Sequence, residues 1–129
     1  MSKKFGHWSH EGPQTAKASL HPSLKDIAWA AGFLEGEGAF CSTGTAERVS
    51  CSQLNPEPLH RLVTIFGGRI RHNKRQSSNG WSSPDSHIDD WYVNSSRARG
   101  VMLTLYPLLS VKRQQQIVKV LERHRLRGG

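Results

Sequence analysis

Apolar spacing in this chain changes period in a fixed order, and that order limits the fold more than any single residue does. In "LKDIAWAAGFLEGEG" (24–38) small and apolar residues fill a helix almost all round. Such a helix is expected to be buried. Ser23 before it, with Asp26 in the first turn, is a start signal of the capping-box kind. Past Gly38 the period drops to two. "AFCSTGT" and "ERVSCSQ" alternate, with Phe40 inward on one strand, Val49 and Cys51 inward on the next, and "TGTA" as the hairpin turn between them. "NPEPLHRLVTIFGG" (55–68) returns to helical spacing through Leu59, Leu62, Val63 and Phe66 and stops on glycine. "RIRHN" and "HIDDWYVN" alternate again around the polar loop "KRQSSNGWSSPDS" (74–86), placing Ile70, Trp91 and Val93 inward. "SSRARGVMLTLYPLL" predicts a helix with Val101, Met102 and Leu105 on its apolar face, broken near Pro107. "SVKRQQQIVKVLERHRLR" predicts a last helix, packed through Val111, Ile117, Val118 and Leu121. The order αββαββαα makes this an α+β fold, with one four-stranded antiparallel sheet and its helices on one face.

The chain's 129 residues fit one domain, expected over 23–126, with a basic arm (1–22) before it and a short tail (127–129) after. No apolar run approaches the roughly 20 residues of a membrane span. "MSKKFGHWSHEGPQ" lacks the apolar stretch of a secretory signal, so a cytoplasmic location is expected. Cys41 and Cys51 cannot build a disulfide framework and read as reduced strand residues. Net charge is +8, and the charge is clustered: "RIRHNKR" (69–75) holds four Lys or Arg and no acid. "KRQQQIVKVLERHRLR" (112–127) holds seven basic residues, counting His124, against one acid. That balance points to a polyanion, most often nucleic acid.

Strand alternation also defines the face turned away from the helices. Its candidates are Cys41, Thr43, Thr45, Arg48, Ser50, Arg69, Arg71, Asn73, Tyr92 and Asn94, with Lys74 and Arg75 beside them. Such a polar, partly cationic ribbon can lie in a DNA major groove and read base edges. An antiparallel sheet can also expose one polar face to water with no ligand. Composition leaves both readings open.

The acids Glu35 and Glu37 fall at the C-terminal end of the first helix, where its dipole disfavours carboxylates by roughly 0.3–1 kcal/mol each. The placement makes sense if something positive sits there. A divalent cation takes carboxylate and carbonyl oxygens, and the helix end offers both kinds, the Gly36 carbonyl included. Ala28, Gly32 and Gly36, spaced by four, form a small-residue stripe that lets another helix approach closely.

"AAGFLEGEG" (30–38) resembles the signature of the LAGLIDADG homing endonucleases, with acids replacing acids at 35 and 37. Gln53, "NPEPLHRLVTIFGG" and the P-x-x-x-x-K-x-x-Q spacing of "LTLYPLLSVKRQQ" agree in order, and the resemblance covers residues 24–122. It implies a Mg²⁺-dependent endonuclease, with Mn²⁺ as a possible substitute, that hydrolyses both strands of a long DNA site. It implies metal binding by Glu37 and the Gly36 carbonyl, a catalytic role for Lys112 at the scissile region, and Gln53 orienting water and metal. Glu35 matches a less defined acid. A single signature implies a homodimer through Ala28, Gly32 and Gly36, acting on a pseudo-palindrome of about 20 base pairs. The competing reading is a non-cleaving DNA or RNA binder, such as an intron maturase or a transcriptional regulator. The presence of both Glu37 and Lys112 favours the enzyme. No arginine early in the second helix matches a basic residue seen in some relatives.

Overall fold

Ser23 starts the first helix by reciprocal hydrogen bonding: its hydroxyl accepts from the Asp26 N–H at 3.0 Å while Asp26 accepts from the Ser23 N–H at 3.4 Å. In the computed structural model, which describes residues 21–74 and 87–128, helix α1 spans Leu24–Glu37. It is followed by β1 (Gly38–Ser42), β2 (Glu47–Gln53), α2 (Glu57–Phe66), β3 (Arg69–Lys74), β4 (His87–Asn94) and α3 (Ser95–Leu105). A 3₁₀ turn (Tyr106–Leu108) at Pro107 then leads into α4 (Val111–Leu126). Element order and type are those of the expected αββαββαα pattern. The N-terminal arm over 1–20, most of the loop after β3 with Arg75, and Gly129 lie outside the described residues.

The sheet is antiparallel throughout, in the order β1-β2-β4-β3. Phe40, Val49, Cys51, Ile70, Trp91 and Val93 all point to one face and are buried there with Leu34, Leu59, Leu62, Val63, Met102, Leu105 and Ile117 of the helices. A close approach pins β3 to β4. Gly68 has φ +102°, and a Cβ on it would lie 2.7 Å from both the Tyr92 carbonyl oxygen and Val93 Cγ1. The Trp91 indole N–H donates to the Gly67 carbonyl at 2.9 Å, which satisfies its one polar atom inside the core.

The sequence expectation needs three corrections. Helix α1 is not buried all round: Ala30, Ala31 and Leu34 are buried, Ile27, Trp29 and Phe33 are half-buried, and Ala28, Gly32 and Gly36 are exposed. Side chains this small give that face little bulk with which to pack against the described residues. In α4, Val111 and Val118 face solvent, while Ile117 and Val120 are buried and Leu121 half-buried. The helix docks through the line from Arg113 to Ile117, Val120 and Leu121, and Val118 falls outside that arc. Thr43 and Thr45 belong to the hairpin turn beyond the sheet edge. The Thr43 hydroxyl is used there, donating to the Ala46 carbonyl at 3.1 Å and accepting from the Ala46 N–H.

Candidate active site and nucleic-acid interface

The sheet face turned away from the helices carries Cys41, Arg48, Ser50, Arg69, Arg71, Asn73, Tyr92 and Asn94, as strand parity predicts. Lys74 closes β3. Several of the side chains on this face hold one another in place. The Tyr92 ring has the Arg48 guanidinium 4.6 Å from its centroid and the Arg71 guanidinium 5.8 Å from it. Arg48 Nε donates to Asn94 Oδ1 at 2.8 Å. The sequence reading missed Asp90 at the middle of this face. Its carboxylate accepts from Arg71 at 3.2 Å, from Asn73 at 2.7 Å and from the Ser52 hydroxyl. The signal was available, because Trp91 and Val93 inward place Asp90 outward by parity. An acid held among donors presents those donors in fixed directions, and direction is what reading base edges requires.

At one border of the sheet the C-terminus of α1 meets the N-terminus of α4, and the two acids of "EGEG" part company. Glu35 sits at the wrong end of its own helix but at the right end of α4. Its carboxylate accepts from the Ser110 N–H at 2.8 Å and from the Ser110 hydroxyl at 2.7 Å. The Ser110 hydroxyl in turn accepts from the Arg113 N–H, capping α4. Arg113 Nε donates to the Glu35 carbonyl at 3.0 Å, so a cation covers one of the free carbonyls of α1. The Ser110 hydrogen bonds hold the Glu35 carboxyl below the usual carboxylate range, with the charges of Arg113 and Lys112 adding to them.

Glu37 is differently placed. It is exposed, and its Oε1 accepts from the Gln53 side-chain amide at 3.0 Å. The structure thus joins two of the three predicted catalytic residues directly. The third, Lys112, is exposed in the first turn of α4 and is tied to the end of α1 through Glu35 and Ser110. The Cys51 thiol beside them is pushed up to about 12 by burial and the nearby Glu37 charge, so it is no nucleophile. Glu37 and the exposed Gly36 backbone are the groups that could hold a divalent ion. Among the described residues no three acidic, histidine or cysteine side chains converge on a metal position. A carboxylate and a carbonyl suit an ion that completes its shell with water and phosphate oxygens.

Two further acids were missed, both at inward parity. Glu47 is 1% exposed and is held by Arg99, Arg127 and His124. Burial disfavours its charge, yet the hydrogen bonds from the two arginines and the charge of His124 outweigh that and leave its pKa lowered. Asp89 is buried against His72 Nδ1 at 2.7 Å. Parity with Val49 and Trp91 signals their inward position, but no local pattern identifies their partners, which come from other segments. Arg61 is taken up by α1 packing, lying 4.2 Å over the Trp29 ring and 3.6 Å from Asp26. Among the described residues, a Cβ at Gly32 or Gly36, on the outward face of α1 beside Trp29, would meet nothing within 4 Å.

No family model and no curated protein matches the chain. Solved structures do. The chain is similar to the homing endonuclease I-CvuI, solved with the I-CreI target in the presence of magnesium with the DNA not cleaved. The TM-score is 0.51 at 18% identity, over 77% of this chain and 68% of that one. It is also similar to the group I intron-encoded homing endonuclease I-CeuI complexed with DNA, with a TM-score of 0.53 at 15% identity. That match covers 81% of this chain and 56% of the other. The fold is that of the LAGLIDADG homing endonucleases. Within this LAGLIDADG fold the stretch 30–38 occupies the second half of α1 and the first residue of β1. The chain spans little more than half the length of I-CeuI.

Proposed function

We propose that this chain is one protomer of a homodimeric, divalent-metal-dependent DNA endonuclease that hydrolyses both strands of a long pseudo-palindromic site. The observation that carries the reading is the hydrogen bond from Gln53 to Glu37, at the end of a helix whose neighbouring small-residue stripe is open. Two copies meeting along Ala28, Gly32 and Gly36 bring two Glu37 carboxylates towards one axis. Without cations those charges repel. Mg²⁺, or Mn²⁺ in its place, would be held by Glu37 and the Gly36 carbonyl. Bound there, it supplies charge stabilisation for the attacking and leaving oxygens of a phosphodiester displacement.

The chain's own residues do the rest. Gln53 holds Glu37 in one orientation and presents its remaining polar atoms to water at the site. Lys112 places a positive charge near the scissile phosphate. Arg48, Arg69, Arg71, Asn73, Tyr92 and Asn94 face the duplex, and a net charge of +8 draws it in. Two protomers on a two-fold axis read two half-sites, a target of about 20 base pairs. Glu37→Gln tests the assignment: cleavage is expected to vanish while DNA affinity stays level or improves, because a repulsive charge is lost away from the reading face. Persistent cleavage by the mutant would overturn the role of Glu37. A wild-type protein that binds DNA and cuts none in Mg²⁺ or Mn²⁺ would establish the non-cleaving binder.

A further inference from the structure

We infer that Glu35 is a positioning residue: it docks the first turn of α4, and so Lys112, against the end of α1 that carries Glu37. The inference rests on the endonuclease reading for its catalytic half and on geometry alone for the rest. Both carboxylate oxygens of Glu35 are committed, one to the Ser110 N–H at 2.8 Å and the other to the Ser110 hydroxyl at 2.7 Å. A third bond runs through the backbone, from Arg113 Nε to the Glu35 carbonyl at 3.0 Å. Residue 35 is therefore gripped by side chain and main chain from residues on both sides of Lys112.

The register explains why this matters. Glu37 follows Glu35 by one intervening residue, and Lys112 follows Ser110 by one intervening residue. A contact fixed between Glu35 and Ser110 thus fixes, relative to each other, the two backbone segments from which the proposed catalytic side chains extend. The other described contacts of this part of α4 lead elsewhere. Arg113 lies 5.6 Å over the Phe40 ring and Gln114 bonds the Tyr106 carbonyl at 2.7 Å, and both orient α4 against β1 and the 3₁₀ turn rather than against Glu37. A carboxylate facing the N-terminal N–H groups of α4 is also favoured by that helix's dipole. The same residue that is misplaced on its own helix is well placed on the next one. Two consecutive acids of one signature then have separate tasks, one structural and directional, the other at the reacting phosphate.

The test uses the full chain with Glu35→Ala, Ser110→Ala and the double variant, and Glu35→Gln as the variant that keeps the side-chain shape. The first readout needs neither DNA nor metal. Amide hydrogen exchange at Ser110–Arg113 is expected to accelerate in Glu35→Ala, with the rest of α4 and the sheet unchanged. The second readout is the cleavage rate at saturating DNA in Mg²⁺. It is expected to fall about a hundredfold in Glu35→Ala, as displacement of a reacting group by an ångström does. DNA affinity and melting temperature are expected to stay near wild type, with Glu35→Gln between the two. Because Glu35 and Ser110 act through one contact, the double variant is expected to be no slower than Glu35→Ala. Unchanged exchange at Ser110–Arg113 overturns the docking, and affinity falling in step with rate overturns the positioning role. A wild-type protein that never cleaves, but shows the exchange effect, refutes the endonuclease reading and upholds the docking.

Discussion

Replacing Glu47 by Gln removes one buried negative charge and leaves Arg99 and Arg127 pointed at a neutral amide. Glu47 is 1% exposed, whereas the two guanidinium side chains are 28% and 33% exposed. Breaking a fully buried pair costs about 3–5 kcal/mol, and a hydrogen bond to a charged group is worth about 1.5–3 kcal/mol net. Here the arginines can turn part-way to water, so the expected loss is about 2–3 kcal/mol. In urea unfolding this lowers the midpoint by about 1 M with the slope unchanged. The pH dependence has a definite sign. Despite burial, the folded-state pKa of Glu47 lies below the ordinary glutamate value, because Arg99 and Arg127 hydrogen-bond the carboxylate. Its stabilisation is therefore complete above the unfolded value and is lost as pH falls through the folded one. Wild type and Glu47→Gln are expected to differ fully at neutral pH and to converge as pH falls below the ordinary glutamate range. A loss under about 0.5 kcal/mol, the range of an ordinary surface substitution, or a difference independent of pH, would refute the reasoning. Because the cluster joins β2 to the C-terminal end of α4, it clamps the end opposite Lys112.

Gly32→Leu puts a branched side chain on the open stripe of α1, where the described residues offer no obstacle. The fold is expected to survive and the dimer to dissociate at least tenfold more readily in analytical ultracentrifugation, and an unaltered dimer would remove this stripe from the interface. Arg71→Ala is expected to weaken binding by about 1–3 kcal/mol for some target sequences and little for others in a competition assay. A uniform loss across sequences would make Arg71 a phosphate contact.

Much of this architecture is legible in the one-dimensional pattern, because each element's period is a local property. Phe40, Val49, Cys51, Ile70, Trp91 and Val93 reveal both faces of the sheet through simple alternation, and Gly67–Gly68 mark where α2 stops. Alternation failed where it was carried past a strand end, at Thr43 and Thr45, since turn geometry rather than pleat decides those directions. It also failed for α4, where a continuous apolar scatter fits more than one docking arc and the neighbours chose Val120 over Val118. The sheet order β1-β2-β4-β3 is set by long-range fit, such as Gly68 beneath Trp91, which no local window contains. The acids teach the same lesson. "EGEG" announces two carboxylates needing positive partners, but that of Glu35 is an N-terminus 75 residues away. For Glu47 the partners are arginines 52 and 80 residues away. A local reading offers a metal for Glu37, leaves the role of Glu35 open and says nothing of Glu47.

The proposed chemistry is tested most directly by incubating the wild-type protein and Glu37→Gln with a randomised duplex pool, with Mg²⁺ and with a chelator, and sequencing the newly formed ends. Double-strand ends sharing a pseudo-palindromic consensus of about 20 base pairs are expected, present only for wild type in Mg²⁺. Ends that form equally in chelator, or equally with Glu37→Gln, would contradict it.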